Sequence, residues 1–180
     1  NGNITGLITV NVIADGDCPL ELTNVYGGGR NAAYTPTAAA ATGENHSPQV
    51  YVKNGTVSEN VFGGGLGSTA TVTSNPKVTI GDLTNESYVA VVDGNVYGGG
   101  EEASVYSSTA TGNATGVAGN TTVIVQKANT QVNGTVFGGG KGEESDKDAA
   151  IVKGNALVDM SGGKVLHSIY GGGELSSVGN

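Results

Sequence analysis

Val96-Tyr97-Gly98-Gly99-Gly100 is one of five copies of a single pentapeptide, and its recurrence decides how the rest of the chain is read. The others are Val25-Tyr26-Gly27-Gly28-Gly29, Val61-Phe62-Gly63-Gly64-Gly65, Val136-Phe137-Gly138-Gly139-Gly140 and Ile169-Tyr170-Gly171-Gly172-Gly173. Their first glycines, at positions 27, 63, 98, 138 and 171, are separated by steps of 36, 35, 40 and 33 residues. Self-similarity at such a period marks a repeat architecture. Between the pentapeptides lie short β-branched runs, including Val50-Tyr51-Val52, Ala70 to Thr73, Lys77-Val78-Thr79-Ile80, Thr121 to Val125 and Ala156 to Met160. Gly, Asn and Asp separate these runs, as strands and turns require. The one candidate helix, Ala38 to Ala41, is flanked by Pro36 and Gly43 and reads as loop.

This pattern predicts an all-β chain without significant helix: residues 1–180 as one domain, a single-stack parallel β-solenoid of about five coils of 33–40 residues. Like positions of stacked coils lie ~4.8 Å apart. Val25, Val61, Val96, Val136 and Ile169 then form an aliphatic column, and Tyr26, Phe62, Tyr97, Phe137 and Tyr170 an aromatic column on the opposite face. The glycines that follow, led by Gly27, Gly63, Gly98, Gly138 and Gly171, serve either a turn with positive φ or a close approach by neighbouring backbone. The rings either pack under the glycine corner or present a row of faces to sugar rings. Phe replaces Tyr in two copies, which favours packing.

Composition excludes several functions. Gly makes up 32 of 180 residues, against a usual ~7%, yet no Gly-X-Y period suggests collagen. One Arg, few Lys and a net charge of -8 offer no basic stripe for nucleic acid and no polybasic patch for anionic lipid. No apolar run approaches the ~20 residues of a membrane helix. The single Cys18 excludes an internal disulfide framework and reads as a core-facing thiol. The start at Asn1, without Met or signal pattern, reads as mature or excised sequence. Gly2-Asn3-Ile4-Thr5 and Gly179-Asn180 fall in one phase of the repeat, so an array without caps is expected to continue end to end, within a longer chain or by assembly of copies.

The segments Gly94-Asn95-Val96-Tyr97-Gly98-Gly99-Gly100, Gly119-Asn120-Thr121-Thr122-Val123 and Asn133-Gly134-Thr135-Val136-Phe137-Gly138-Gly139-Gly140 resemble the glycine-rich repeats of very large surface proteins of anaerobic gut bacteria. The resemblance covers all five periods and implies an exported, adhesin-like β-solenoid at the cell surface. It brings no catalytic residue. Insertions such as Asn31 to Ser47 and the acidic run Glu143 to Asp148 depart from the pattern.

Chemistry-bearing clusters are sparse. A polysaccharide-cleaving site needs converging carboxylates. The candidates are Glu101-Glu102, Asp15 with Asp17, and Glu143 to Asp148, all in loops or turns where acidic residues are ordinarily solvated. His46 and His167 lack the partners of a triad, and His167 reads as a structural residue sharing the face of Ile169. No cofactor is expected; the carboxylates of the acidic run leave room for a loop-bound calcium, though without EF-hand spacing. The sequence therefore points to a non-enzymatic, extracellular structural or adhesive element whose partners are copies of itself or adjacent repeats, with glycans or a host surface as further candidates. The alternative is a carbohydrate-binding or polysaccharide-cleaving β-helix.

Overall fold

The computed structural model describes residues 4–16, 18–36, 47–106, 119–146 and 148–179. The expected strand at Lys77 forms over Lys77–Ile80 (β6), and those at Thr121 and Ala156 form over Thr121–Val125 (β9) and Ala156–Met160 (β12). The other strands are Thr9–Ile13 (β1), Glu21–Leu22 (β2), Val25–Tyr26 (β3), Gln49–Val57 (β4), Val61–Phe62 (β5), Ala90–Val92 (β7), Val96–Tyr97 (β8), Gln131–Val132 (β10), Val136–Phe137 (β11), Lys164–Val165 (β13) and Ile169–Tyr170 (β14). Every pairing between them is parallel, and no helix occurs among the described residues. Ala38 to Ala41 lie outside the described residues.

The expected single-stack β-solenoid is not what these strands build. They divide into two separate parallel sheets, one of nine strands running β12-β9-β6-β4-β7-β10-β13 with β1 and β2 also on β4, and one of five running β14-β11-β8-β5-β3. The nine-residue strand β4 is the physical reason. Its first half pairs with β1 and β6, and its second half with β2 and β7, so the larger sheet curls about it. The curl falls where the register with β1 shifts, between Val12 and Ile13, and where Gly55 takes a φ of 122°. That positive φ is open to glycine and closed to nearly every other residue. The five pentapeptide strands β3, β5, β8, β11 and β14 pair with one another and form the second sheet.

Valine fills the space between the sheets. Val12, Val52, Ile80 and Val125 occupy matching register positions on the larger sheet and are all buried. Val25, Val61, Val96 and Val136 of the smaller sheet join the same cluster. Each such side chain contributes roughly 1.5–3 kcal/mol by leaving water. A second, smaller core follows the glycine runs, where Ile4, Tyr34, Val72, Val105, Val152 and Val178 bridge in succession.

Asparagines hold the rows in register. The Asn60 backbone N–H donates to Asn24 Oδ1 at 2.9 Å, Asn95 N–H to Asn60 Oδ1 at 2.9 Å, and Thr135 N–H to Asn95 Oδ1 at 2.8 Å. A second series runs from Ser47 through Asn75 and Asn120 to Asn155, with donor–acceptor distances of 2.8–3.0 Å. Each side-chain oxygen accepts from an N–H one repeat away, so a slip in register would leave a whole series unpaired.

One turn stores a pH-dependent contribution. The Thr84 hydroxyl and backbone N–H donate to Asp82 Oδ1, and Lys53 Nζ lies 3.4 Å from Asp82 Oδ2. Thr84 first, with Lys53 assisting, holds the buried Asp82 carboxyl down to about 2. Because the folded value lies below the unfolded one, the contribution is complete above about pH 4 and is lost as pH falls through about 2. Asp82→Asn is expected to remove about 2 kcal/mol of this acid-sensitive stability. In a circular-dichroism titration, the variant's unfolding free energy should then fall less steeply between pH 4 and pH 2 than that of the parent chain; parallel curves would contradict the assignment.

Candidate functional site: a buried aromatic stack between two open sheet edges

The smaller sheet is built from the pentapeptides themselves. In register, Val25 pairs with Val61, Val61 with Val96, Val96 with Val136, and Val136 with Ile169; the aromatic that follows each pairs likewise. Strand alternation sends the aliphatic side chains into the shared core and the rings to the other face. Tyr26, Phe62, Tyr97, Phe137 and Tyr170 stack with centroid separations of 4.9, 4.7, 5.1 and 5.4 Å and interplanar angles of 2–17°. Phe62 and Tyr97 are fully buried and Phe137 nearly so, whereas Tyr170 is 53% exposed. The inner rings therefore have no free face for a sugar.

Close approach, not positive φ, accounts for the triple glycines. None of the fifteen adopts a positive φ. A Cβ on Gly27, Gly63, Gly98 or Gly138 would lie 2.3–2.4 Å from the carbonyl oxygen of the equivalent glycine in the next repeat. The second glycines are as crowded: a Cβ on Gly28, Gly64, Gly99 or Gly139 would lie 2.6–2.9 Å from backbone of the next repeat. Only at Gly171 and Gly172, in the last repeat, does the space lie open, with nothing within 4 Å.

The residue after each glycine run forms a further column, Arg30, Leu66, Glu101, Lys141 and Glu174, through successive parallel bridges. Lys141 Nζ sits 2.8 Å from Glu101 Oε1. The Tyr26 hydroxyl donates to Glu101, and the Tyr97 hydroxyl to Glu174. Burial first, and then the adjacent carboxylate, pushes both phenols above their ordinary range. Tyr26 and Tyr97 thus each face a glutamate two repeats away, while the residue two repeats beyond Phe62 is Lys141, which needs no donor. The Tyr/Phe exchange therefore does not make the hydroxyl idle: at Tyr26 and Tyr97 it has a carboxylate partner. The signal for it was the identity of the residue after each glycine run.

The acidic candidates separate. Glu101 belongs to this column, while the Glu102 carboxyl is pushed up chiefly by a hydrogen bond shared with Glu143. Glu143 and Glu144 also line a depression of about 450 Å³ with Leu175, Ser176 and Ser177. Among the described residues, no group of three or more His, Cys, Asp or Glu side chains is placed to hold a metal ion. Asp15 is exposed; Asp17, His46 and Lys147 lie outside the described residues. His167 is exposed. Cys18 is exposed as well, not core-facing as expected, because it falls in the loop between β1 and β2.

The two ends of the sheets are open. Among the described residues, β14 pairs with β11 alone and β3 with β5 alone, while β12 and β13 likewise close the larger sheet with one partner each. Exposed apolar side chains gather on the last repeat, among them Leu157, Met160, Leu166, Ile169 and Tyr170. No family model matches the chain, and neither the curated proteins nor the solved structures contain a match to it.

Proposed function

We propose that this chain is a non-enzymatic structural or adhesive element of the bacterial exterior, whose two parallel sheets continue end to end, within a longer chain or by assembly of copies. The observation that carries the reading is the in-register parallel pairing of every row with the next, with the rings sealed wherever a further row lies against them. Inner strands have both edges hydrogen-bonded and their rings buried, while the last repeat leaves strand edges and five large apolar side chains exposed. Unpaired edges of this kind are templates for another strand. The glycine-rich repeats, the scarcity of charge and the resemblance to surface proteins of gut bacteria support an extracellular setting. The buried rings and dispersed carboxylates support a role without turnover.

Sedimentation velocity over a hundredfold range of concentration tests this reading, together with incubation against host and plant polysaccharides. The expected result is mass that grows with concentration and no glycan cleavage. A chain that degrades a polysaccharide would overturn it, and one that stays monomeric throughout would rule out assembly of copies.

A further inference from the structure

We infer that Tyr26 and Tyr97 form a redox-active pair, each giving one electron to a one-electron oxidant outside the protein while its phenolic proton passes to a fixed carboxylate. This goes beyond the structural reading and does not depend on how the rows continue.

A phenol is hard to oxidise while it keeps its proton and far easier to oxidise when a base takes that proton in the same step. The Tyr26 hydroxyl donates to Glu101 Oε2, and the Tyr97 hydroxyl to Glu174 Oε2. An ionised carboxylate only accepts, so it has a lone pair ready for the arriving proton. Tyr51 shows the contrast: its hydroxyl meets the amide oxygen of Gln49 at 3.4 Å, and an amide is no base. Burial first, and then the carboxylates, hold the Tyr26 and Tyr97 phenols above their ordinary range. The route through a free phenolate is therefore closed at neutral pH, and proton and electron leave together.

The surroundings fix both acceptors and both rings. Lys141 Nζ lies 2.8 Å from Glu101 Oε1, the oxygen that Tyr26 does not use, and so orients this carboxylate. Asn95 Nδ2 donates to the Tyr97 hydroxyl oxygen at 2.9 Å, while Asn95 Oδ1 is held by the Thr135 N–H. Tyr97 is 1% exposed, which shields a radical formed there from solvent. Phe62 stacks between the two tyrosines, with ring centroids 4.9 Å from Tyr26 and 4.7 Å from Tyr97. It links the half-buried Tyr26 to buried Tyr97 through ring contacts, and it keeps the two phenols from coupling into a carbon–carbon bond. In each oxidation the tyrosine O–H bond breaks, an O–H bond forms on Glu101 or Glu174, and the oxidant gains one electron. A neutral phenoxyl radical remains.

Flash photolysis of the 180-residue chain with tris(bipyridine)ruthenium(III) as the oxidant tests this, with the phenoxyl radical followed by absorbance and electron paramagnetic resonance. Deuterated water is expected to slow radical formation in the parent chain. Tyr26→Phe with Tyr97→Phe keeps the stack, as Phe62 and Phe137 do in their own rows, and is expected to remove most of the radical signal. Glu101→Gln with Glu174→Gln keeps an acceptor for each hydroxyl but removes the base, and is expected to slow radical formation at least tenfold. Should the glutamine variant not fold by circular dichroism, the phenylalanine variant and the isotope effect decide. No radical in the parent, a rate without isotope effect, or a radical indifferent to these substitutions would reduce the two pairs to structural hydrogen bonds and overturn the inference.

Discussion

Gly98→Ala is expected to destabilise the chain by about 3 kcal/mol or more, the upper range for forcing extra volume into a packed interior. The added Cβ would lie 2.3 Å from the Gly138 carbonyl oxygen and 2.9 Å from Thr121 Cβ. Neither neighbour is the free end of a flexible side chain. The Gly138 carbonyl also accepts the buried Thr121 hydroxyl at 2.6 Å, so moving it breaks a second contact. For a domain of this size the loss corresponds to a fall of about 10 °C in thermal midpoint. Calorimetry at a concentration too low for association reads it directly. A change smaller than about 1 kcal/mol would mean that the strands are spaced more loosely at the glycine runs than described.

Phe62→Ala carries the next largest effect. The ring is fully buried between Tyr26 at 4.9 Å and Tyr97 at 4.7 Å, so truncation leaves a ring-sized void in the middle of the stack. The expected cost is about 3–5 kcal/mol. Tyr170→Ala removes a ring of the same column that is 53% exposed and stacked on one side only, and should cost about 1 kcal/mol or less. Denaturant unfolding of the two variants compares them on one scale. Equal losses would indicate that the column is not a packed interior at Phe62, and that its rings are accessible along its length.

Much of this arrangement was legible in the chain. The pentapeptide placed Val25 through Ile169 and Tyr26 through Tyr170 in two columns, because a repeated dipeptide on a strand must send its two side chains to opposite faces. The partition into two sheets was not legible. A period of about 36 residues with three short runs says nothing about which runs share a sheet, and the run read as Val50 to Val52 continues through Gly55 to Val57. That single continuous strand curls the larger sheet and overturns the expected single stack. Sequence alone admits two physical causes for the glycines, and only the backbone geometry separates a positive φ from a carbonyl 2.3 Å away.

Other features were present in the letters but depended on contacts across repeats. Asn24, Asn60, Asn95, Thr135 and Ser168 each precede a pentapeptide, a run of hydrogen-bonding side chains whose ladder becomes visible only when the rows are set side by side. The column after the glycines, Arg30 to Glu174, becomes one seam only through its bridges and the tyrosine hydroxyls, which sequence spacing does not show. Cys18 illustrates the opposite failure. Its apolar character suggested the core, but its position in the β1–β2 loop leaves it in solvent.

The central claim is that parallel rows continue from one copy to the next along the hydrogen-bonding direction. Electron diffraction or cryo-electron microscopy of the purified chain at high concentration tests it most directly. The expected result is rods with strand spacing of ~4.8 Å along the long axis, each run of five rows contributing a length of about 24 Å. Compact particles at every concentration, or rods whose ~4.8 Å spacing runs across the axis, would contradict it.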